Sequence, residues 1–223
     1  MSTLIITTST KLASLSIYDK DNMLGNINVN VKRTHSSYIM DQISSLLSWT
    51  GTKIDDIKYV IVSVGPGSFT GVRIAISVIK GMFVGRDVKI YEVNELDALG
   101  YQGNMIYRDK VIAMIDSNKE KIYYGTYING ERVGELLVSK LDEVIVLAKK
   151  QGYRLIGDAV IAYDKKIKEN GINIELSDMF LRINSSIFYK MFKEKKLKEV
   201  DLFNLVPDYL EKSQAEKEKN GNI

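Results

Sequence analysis

The sequence predicts an α/β protein made of two lobes of one design, each with the element order βββαβαβα. Three observations support this prediction. Apolar and polar residues alternate through two three-strand meanders, one near the start of the chain and one near residue 110, and such alternation is typical of strands with one buried face. Helical apolar spacing follows each meander, and short β-branched runs separate the helices. The order of elements repeats, although sequence identity between the halves is negligible.

The first lobe is predicted to span residues 1–104. Its strands, in chain order, cover residues 4–8, 12–18, 23–31, 59–64 and 88–93. The first helix begins at Ser36 or Ser37 and ends at Gly51, because serine is a favoured N-cap and glycine favours the turn that ends a helix. A second helix follows the 59–64 strand. Asn94 caps a short third helix over residues 95–101.

The second lobe is predicted to span residues 105–210 and to repeat this order. Its strands cover residues 110–116, 121–128, 131–138, 153–156 and 172–176. Asn129-Gly130 joins the second and third of these strands, because this pair favours a tight hairpin turn. Helices are predicted over residues 141–151, from about 158 to 170, and from Ser185 onwards. The polar tail, residues 211–223, is predicted to be disordered.

The composition excludes several classes of site. The chain has no cysteine, which excludes disulfides, thiolate metal sites and cysteine nucleophiles. Its 31 basic and 28 acidic residues give a formal net charge of +3, too balanced to predict nucleic-acid binding from charge alone. The N-terminus lacks a signal-peptide pattern, and no apolar run approaches the ~20 residues that span a bilayer. A cytoplasmic protein without membrane contact is therefore expected.

A glycine-rich connection, Gly65-Pro-Gly-Ser-Phe-Thr-Gly71, joins the 59–64 strand to an apolar helix. One interpretation is anion binding at the helix N-terminus, with Gly67 and Ser68 as candidates. Asp116 and Asp158, each near the end of a predicted strand, would then be the carboxylates of a phosphate site. The other interpretation is a tight turn in which Ser68 or Thr70 caps the helix. The spacing matches neither common phosphate-loop pattern, so the turn is favoured.

The helix after this connection has almost no polar face through residues 72–84. A helix that is apolar all round is covered on more than one side. Ser77, Gly81 and Gly85 form a strip of small residues, which lets another helix approach closely. A contact with another subunit is therefore favoured over burial within one chain. Arg73 lies near the positive end of this helix, so it is expected to pair with a carboxylate.

Several motifs together resemble the bacterial TsaB (YeaZ-like) family over the whole chain. They are the run from Gly65 to Arg73 with Lys80-Gly81, Arg33-Thr34-His35-Ser36, Ile115-Asp116-Ser117, Pro207-Asp-Tyr-Leu210 and Ser213-Gln-Ala-Glu216. The resemblance implies the two-lobed fold of actin, Hsp70 and sugar kinases, with ribonuclease H-like lobes. It also implies a non-catalytic, accessory role beside TsaD. That transferase threonylcarbamoylates the adenosine next to the anticodon in tRNAs that read codons beginning with A.

The resemblance further implies the partners of the chain. These would be a TsaD-like transferase, a TsaE-like ATPase, tRNA bound through the complex, and a second copy of the chain when it is alone. The contact would use the first two helices. The residues predicted to form it are His35, Ile39, Met40, Ile43, Arg73, Ile76, Ile79, Lys80 and Phe83.

Two departures from the relatives bear on catalysis. TsaD binds its metal through two histidines spaced four apart, whereas His35 is the only histidine here and Ile39 stands four residues later. Proteins of this fold commonly have an aspartate after the first strand, where this chain has Thr7-Thr8-Ser9. No metal or cofactor is therefore expected on the chain alone, and ATP or ADP would be held at the contact between subunits. A free-standing ATP-dependent kinase or hydrolase and a metallopeptidase stay as alternatives.

Overall fold

A six-stranded sheet forms the first lobe of the computed structural model, which describes residues 1–30, 38–174 and 176–211. Its strands are β1 (Ser2–Thr7), β2 (Leu12–Asp19), β3 (Asn22–Asn30), β4 (Ile57–Gly65), β5 (Lys89–Asn94) and β10 (Lys198–Val200). They lie in the order β10-β5-β4-β1-β2-β3. β4 is parallel to both β1 and β5, and the other neighbours are antiparallel. The first meander is therefore confirmed.

A four-stranded sheet forms the second lobe. Its strands are β6 (Val111–Asp116), β7 (Lys121–Ile128), β8 (Glu131–Lys140) and β9 (Arg154–Ile156). In the order β8-β7-β6-β9, β9 is parallel to β6 and the other pairs are antiparallel. Asn129 and Gly130 turn β7 into β8 with φ of 54° and 80°, the left-handed backbone that a two-residue hairpin turn needs. The second meander and its hairpin are confirmed.

Helices cover both sheets. Those in the described residues are α1 (Ile39–Thr50), α2 (Phe69–Phe83), α3 (Glu95–Tyr107), α4 (Leu141–Gln151), α5 (Asp158–Ala162), α6 (Asp164–Glu169), α7 (Asp178–Leu181) and α8 (Ser185–Lys193). On β1, Leu4 and Ile6 belong to the core under α1 and α2, while Ile5 belongs to the core between the lobes, because successive side chains leave opposite faces of a strand. None of the helices in these described ranges has the length and apolar character to cross a bilayer.

α3 runs between the two lobes and ends at Tyr107, not at Tyr101 as predicted. Its glycines allow close packing on the second sheet. A Cβ added to Gly100 would lie 2.4 Å from the Tyr127 ring, and one added to Gly103 would lie 2.7 Å from the Val111 side chain. Glycine weakens an isolated helix, but packing against both lobes stabilises α3 at these two glycines.

The end of the second lobe differs from the prediction. Residues 172–174 do not form the predicted strand and pair with no strand of the second sheet, although the Ile172 and Ile174 side chains pack onto the core of the second lobe. The helix predicted to run to residue 170 is interrupted at Tyr163, between α5 and α6. β10 pairs with β5, so residues that the sequence placed in the second lobe complete the sheet of the first.

Residues 201–211 cross α2 and connect the two lobes. Leu205 is fully buried in the core under α1 and α2. The Asp208 amide donates to the Val64 carbonyl oxygen at 2.8 Å, and Leu210 packs onto the core of the second lobe. Glu211 pairs with Lys121 of β7 at 3.1 Å. The rest of the tail predicted to be disordered, residues 212–223, lies outside the described residues.

Candidate functional site

The glycine-rich connection packs directly against the turn that follows β1. Ser68 is the N-cap of α2, and its Oγ accepts a hydrogen bond from the Gly71 amide at 3.2 Å. The Ser68 amide donates to the Ser9 carbonyl oxygen at 2.7 Å. In return, the Thr8 hydroxyl donates to the Gly71 carbonyl oxygen at 2.7 Å. The predicted serine cap is confirmed, and the connection is bonded to the backbone of its own chain.

Two of the glycines are required by this contact. A Cβ added to Gly67 would lie 2.1 Å from the Ser9 carbonyl oxygen, and one added to Gly71 would lie 2.0 Å from the Thr8 carbonyl oxygen. Real side chains do not approach backbone this closely, so glycine is needed here to let two backbone segments meet. The geometry favours the tight turn over a phosphate cradle, because the sides of the loop that a phosphate would approach are occupied by residues 8 and 9.

A polar cluster lies beside this turn at the junction of the lobes. Glu95, the first residue of α3, is fully buried. Its Oε2 accepts a hydrogen bond from the Thr7 hydroxyl at 2.9 Å, whereas its Oε1 has no partner. The Ser9 and Ser63 hydroxyls are nearby but bond to each other at 2.7 Å. A buried carboxyl with one oxygen unpartnered is costly to ionise.

Burial raises the pKa of Glu95 to about 7. The hydroxyl groups of Ser63, Thr7 and Ser9 act in the opposite direction, because they favour the carboxylate, but they do not offset the loss of solvent. The negative charge of Asp158, across the junction, adds to the increase. Near pH 7 the junction therefore contains a carboxyl that is protonated in about half of the molecules.

Asp158 and Asp116 face the junction from the second lobe. Loss of solvent raises the pKa of Asp158 to about 6, and its Oδ1 accepts a hydrogen bond from the Asp116 amide at 3.0 Å. The Asp116 Oδ1 accepts hydrogen bonds from the Asn118 amide and from the Tyr163 hydroxyl, both at 2.8 Å. Both carboxyls thus accept hydrogen bonds within the second lobe, and the bond from Asn118 to Asp116 is the turn contact that is common for aspartate at the end of a strand.

These residues do not fit a magnesium-bound nucleotide. Burial disfavours the charged forms of Glu95 and Asp158 that a metal would need, and residues 8 and 9 already pack against the glycine-rich connection. In the part of the chain that the structure describes, no three histidine, aspartate or glutamate side chains are placed to share a metal ion.

The buried Glu95 makes stability depend on pH. Its pKa is about 7 in the folded chain and 4.5 ordinarily, so the unfolded chain loses this proton first. The free energy of unfolding should therefore fall by roughly 2–3 kcal/mol as the pH rises from 4.5 to 7. Glu95→Gln should remove most of that fall, measured by urea unfolding at several pH values. Glu135→Gln, at an exposed position of β8, should keep the wild-type slope; an unchanged slope in Glu95→Gln would contradict the assignment.

The structure corrects five of the residues assigned to a subunit contact. Each is at most 5% exposed, because each faces the sheet of its own lobe; they are Ile39, Ile43, Ile76, Ile79 and Phe83. Their side chains cannot also face a partner. Met40 is half exposed, and Arg73 and Lys80 lie toward solvent. His35 lies outside the described residues.

Arg73 does not pair with a carboxylate within the described residues, contrary to expectation. Its Nε donates to the Tyr209 hydroxyl, and its guanidinium carbon lies 5.3 Å from the centre of the Tyr209 ring. The same ring stacks on Phe69, with centroids 4.7 Å apart. The Lys80 ammonium donates to the Phe203 carbonyl oxygen at 3.0 Å. Aromatic and backbone groups of residues 201–211 thus take the place of the expected acid.

The solvent side of α2 forms an open, partly apolar surface. Ser77 and Gly81 are exposed, and a Cβ added to Gly81 or Gly85 would meet no atom within 4 Å. Exposed apolar side chains border this strip. We call the whole area the α2 outer surface; its members are Arg73, Ser77, Gly81, Val84 (57% exposed), Gly85, Phe203 (73%) and Val206 (58%). Exposed apolar groups gathered around a small-residue strip favour contact with another protein.

Two features of the lobe junction and the α2 outer surface could not be predicted from sequence patterns. Glu95 looks like an ordinary acid at a helix N-terminus, where the helix dipole favours negative charge, and nothing local indicates its burial. The course of residues 201–211 over α2 depends on contacts with residues more than a hundred positions away, although Pro207-Asp-Tyr-Leu210 was recognised as a motif.

Comparison with known proteins identifies the family. The model of one family, described as TsaD, tRNA N6-adenosine threonylcarbamoyltransferase, matches residues 22–217. The chain belongs to this TsaD family. Among curated relatives, a protein of Escherichia coli named tRNA threonylcarbamoyladenosine biosynthesis protein TsaB is 27% identical over 237 residues, covering 99% of each chain. A protein of the same name from Bacillus subtilis is 26% identical and covers 97% of this chain and 96% of its own.

Solved structures show the same fold. A protein from Pseudomonas aeruginosa, described as similar to the peptidase YEAZ, has a TM-score of 0.75 at 21% identity. The match covers 94% of this chain and 99% of that one. A second structure, YeaZ from the same organism, has a TM-score of 0.73 at 20% identity. The two-lobed α/β fold and the resemblance to TsaB are confirmed.

Proposed function

We propose that this chain is an accessory subunit in the synthesis of threonylcarbamoyladenosine in tRNA. In this role it pairs with a TsaD-like transferase and supports its active form without catalysing the transfer. Relatives that match over nearly their whole length carry the name of this biosynthesis. The product would be the modified adenosine next to the anticodon in tRNAs that read codons beginning with A. Because tRNA is the substrate, we place the assembly in the cytoplasm.

The observation that carries the proposal is the contrast between the lobe junction and the α2 outer surface. The junction is closed by the chain itself, with Gly67 and Gly71 against residues 8 and 9 and with Glu95 buried. The α2 outer surface is open, and it exposes Phe203 and Val206 to solvent. A chain whose glycine-rich connection is packed against its own backbone and whose surface exposes apolar side chains is suited to binding a protein.

The open α2 outer surface and the closed glycine-rich connection together favour binding of protein partners over binding of a cofactor. A TsaD-like transferase would cover the α2 outer surface together with Met40 of α1. Without it, a second copy of the chain would cover the same surface. A TsaE-like ATPase completes the assembly, and ATP or ADP would lie at the contact between subunits, since the residues of this chain's own junction do not fit phosphate. The tRNA would be bound through the complex.

Pairing is tested by mixing this chain with the TsaD-like transferase of the same organism and measuring molar mass by light scattering. A species heavier than either protein alone is expected, together with a dimer when this chain is measured alone. The alternative enzyme, a free-standing kinase or hydrolase, is tested by calorimetry of the chain with ATP and magnesium. Micromolar binding and turnover by the isolated chain would contradict the accessory role.

A further inference from the structure

A group of exposed cations lies at the end of the second lobe that faces away from the lobe junction. β6 and β9 begin at this end, while Asp116 and Asp158 lie at the other. We call this group the basic end; its members are Arg108, Lys110, Lys149 and Lys150, all exposed. They come from two helix C-termini and one strand start, so the fold, rather than the sequence alone, brings them together.

Backbone contacts place these residues side by side. α3 ends at Arg108, whose backbone is left-handed with φ of 52°. The Lys110 carbonyl oxygen accepts a hydrogen bond from the Arg154 amide at 2.9 Å, which joins the starts of β6 and β9. α4 ends in Lys149 and Lys150 and leads through one short turn to the same strand start.

The charges of the basic end are not balanced locally. Within residues 1–30, 38–174 and 176–211, none of its four cations has a carboxylate at ion-pair distance, and Asp109 is the single acid among them. Some lysines elsewhere on the surface do have acidic partners, as Lys193 has Asp21 at 2.8 Å and Lys198 has Glu92 at 2.9 Å. Four cations and one acid give a net charge of +3. This equals the formal net charge of the whole chain, so the remaining residues sum to zero.

An aromatic ring with a planar cation lies beside the basic end. The Arg154 guanidinium carbon is 5.8 Å from the centre of the Tyr107 ring. The Tyr107 hydroxyl donates to the Leu155 carbonyl oxygen at 3.4 Å, which ties α3 to β9. Rings and guanidinium planes are the groups on which unpaired RNA bases stack, and lysines bind phosphate as point charges.

We infer that the basic end binds RNA, with Lys149, Lys150 and Arg108 on backbone phosphates and Tyr107 and Arg154 beside a base. The inference rests on the proposed function, since it assigns to this chain a direct contact with the tRNA of the complex. A lipid headgroup would need the charge but not the stacking pair. The lysines also complement the negative end of the α4 dipole, a structural role that predicts altered stability and unaltered RNA binding.

The test compares two double variants in the complex with the transferase. Lys149→Ala with Lys150→Ala should weaken binding of an unmodified tRNA transcript roughly tenfold and reduce the slope of log affinity against log salt by about 1–2. Lys165→Ala with Lys168→Ala removes the same charge from exposed lysines of α6 and should leave both quantities unchanged. Lys149→Arg with Lys150→Arg should keep binding close to wild type, because phosphate contact needs only the charge.

Three results would overturn the inference. One is equal tRNA affinity and salt slope in the alanine pair and the wild type, with the complex intact. A second is an equal loss in both alanine pairs, which would indicate net charge alone. A third is binding of phosphatidylglycerol vesicles that the alanine pair abolishes while tRNA affinity stays unchanged, which would assign the basic end to membranes. By contrast, a wild-type chain that fails to pair with the transferase contradicts the proposed function itself.

Discussion

Gly81→Arg should strongly weaken pairing with the transferase while leaving the chain folded. Gly81 is in the middle of the α2 outer surface, and a Cβ added there would have no atom of the chain within 4 Å. Arginine favours a helix over glycine by up to ~1 kcal/mol, so the fold should be retained. In a contact that brings another helix against this strip, the same side chain would be a bulky, unpaired charge. We expect affinity for the transferase to fall roughly hundredfold, for a cost of about 3 kcal/mol.

Two variants control this measurement by light scattering or calorimetry. Val146→Arg introduces the same side chain at an exposed position of α4 on the other lobe, and it should pair as the wild type does. Gly81→Ala adds a single methyl group and should weaken pairing far less than arginine does. Wild-type affinity in Gly81→Arg would show that the partner does not use the α2 outer surface.

Gly71→Ala should destabilise the chain strongly, although it adds one methyl group to a helix. The new Cβ would lie 2.0 Å from the Thr8 carbonyl oxygen, so the start of α2 must move away from the turn after β1. That movement also breaks the bond from the Thr8 hydroxyl to the Gly71 carbonyl oxygen. Overpacking and the lost hydrogen bond together should cost about 2–4 kcal/mol, and the melting temperature should fall by roughly 6–12 °C.

Gly81→Ala is the matched control, because it makes the same change on the same helix where nothing lies within 4 Å. It should raise stability by about 0.5–1 kcal/mol, since alanine favours a helix over glycine. In thermal unfolding, the melting temperature should fall in Gly71→Ala and rise in Gly81→Ala. If both variants raise the melting temperature, the glycine-rich connection does not hold the turn after β1 as described.

Local chemistry was enough to predict much of the fold. Ser68 and Asn94 cap α2 and α3 as serine and asparagine favour. Asn129-Gly130 forms the hairpin turn, and Gly51 ends α1 in the left-handed conformation. Each of these predictions depends on residues within a few positions of each other, so no knowledge of the rest of the chain was needed.

The predictions that failed depend on distant contacts. β10 has three residues and exists because β5 offers an edge to pair with. α2 looks apolar all round, yet its exposed side is a narrow line through Arg73, Ser77 and Gly81. A wide apolar face on its own sheet explains the rest of its composition. Composition alone could therefore indicate that α2 contacts another protein. It could not indicate which face does so, and the prediction chose Ile76 and Ile79, which are buried.

At the candidate site, the sequence could identify the glycine-rich connection but not what fills it. The clash distances at Gly67 and Gly71 arise from residues 8 and 9, some sixty positions earlier. Glu95 and Asp158 come from different lobes, and the charge of Asp158 can raise the pKa of Glu95 only once the lobes close. Long-range placement of this kind leaves no local signal in the sequence.

The central claim is that this chain supports a transferase without acting alone. It is tested most directly by the initial rate of threonylcarbamoyl transfer to an unmodified tRNA transcript in a reconstituted system. The system contains the TsaD-like transferase and the TsaE-like ATPase, with or without this chain. We predict transfer only when the transferase and this chain are both present, and none from this chain without the transferase. A full rate without this chain, or transfer by this chain alone, would contradict the account.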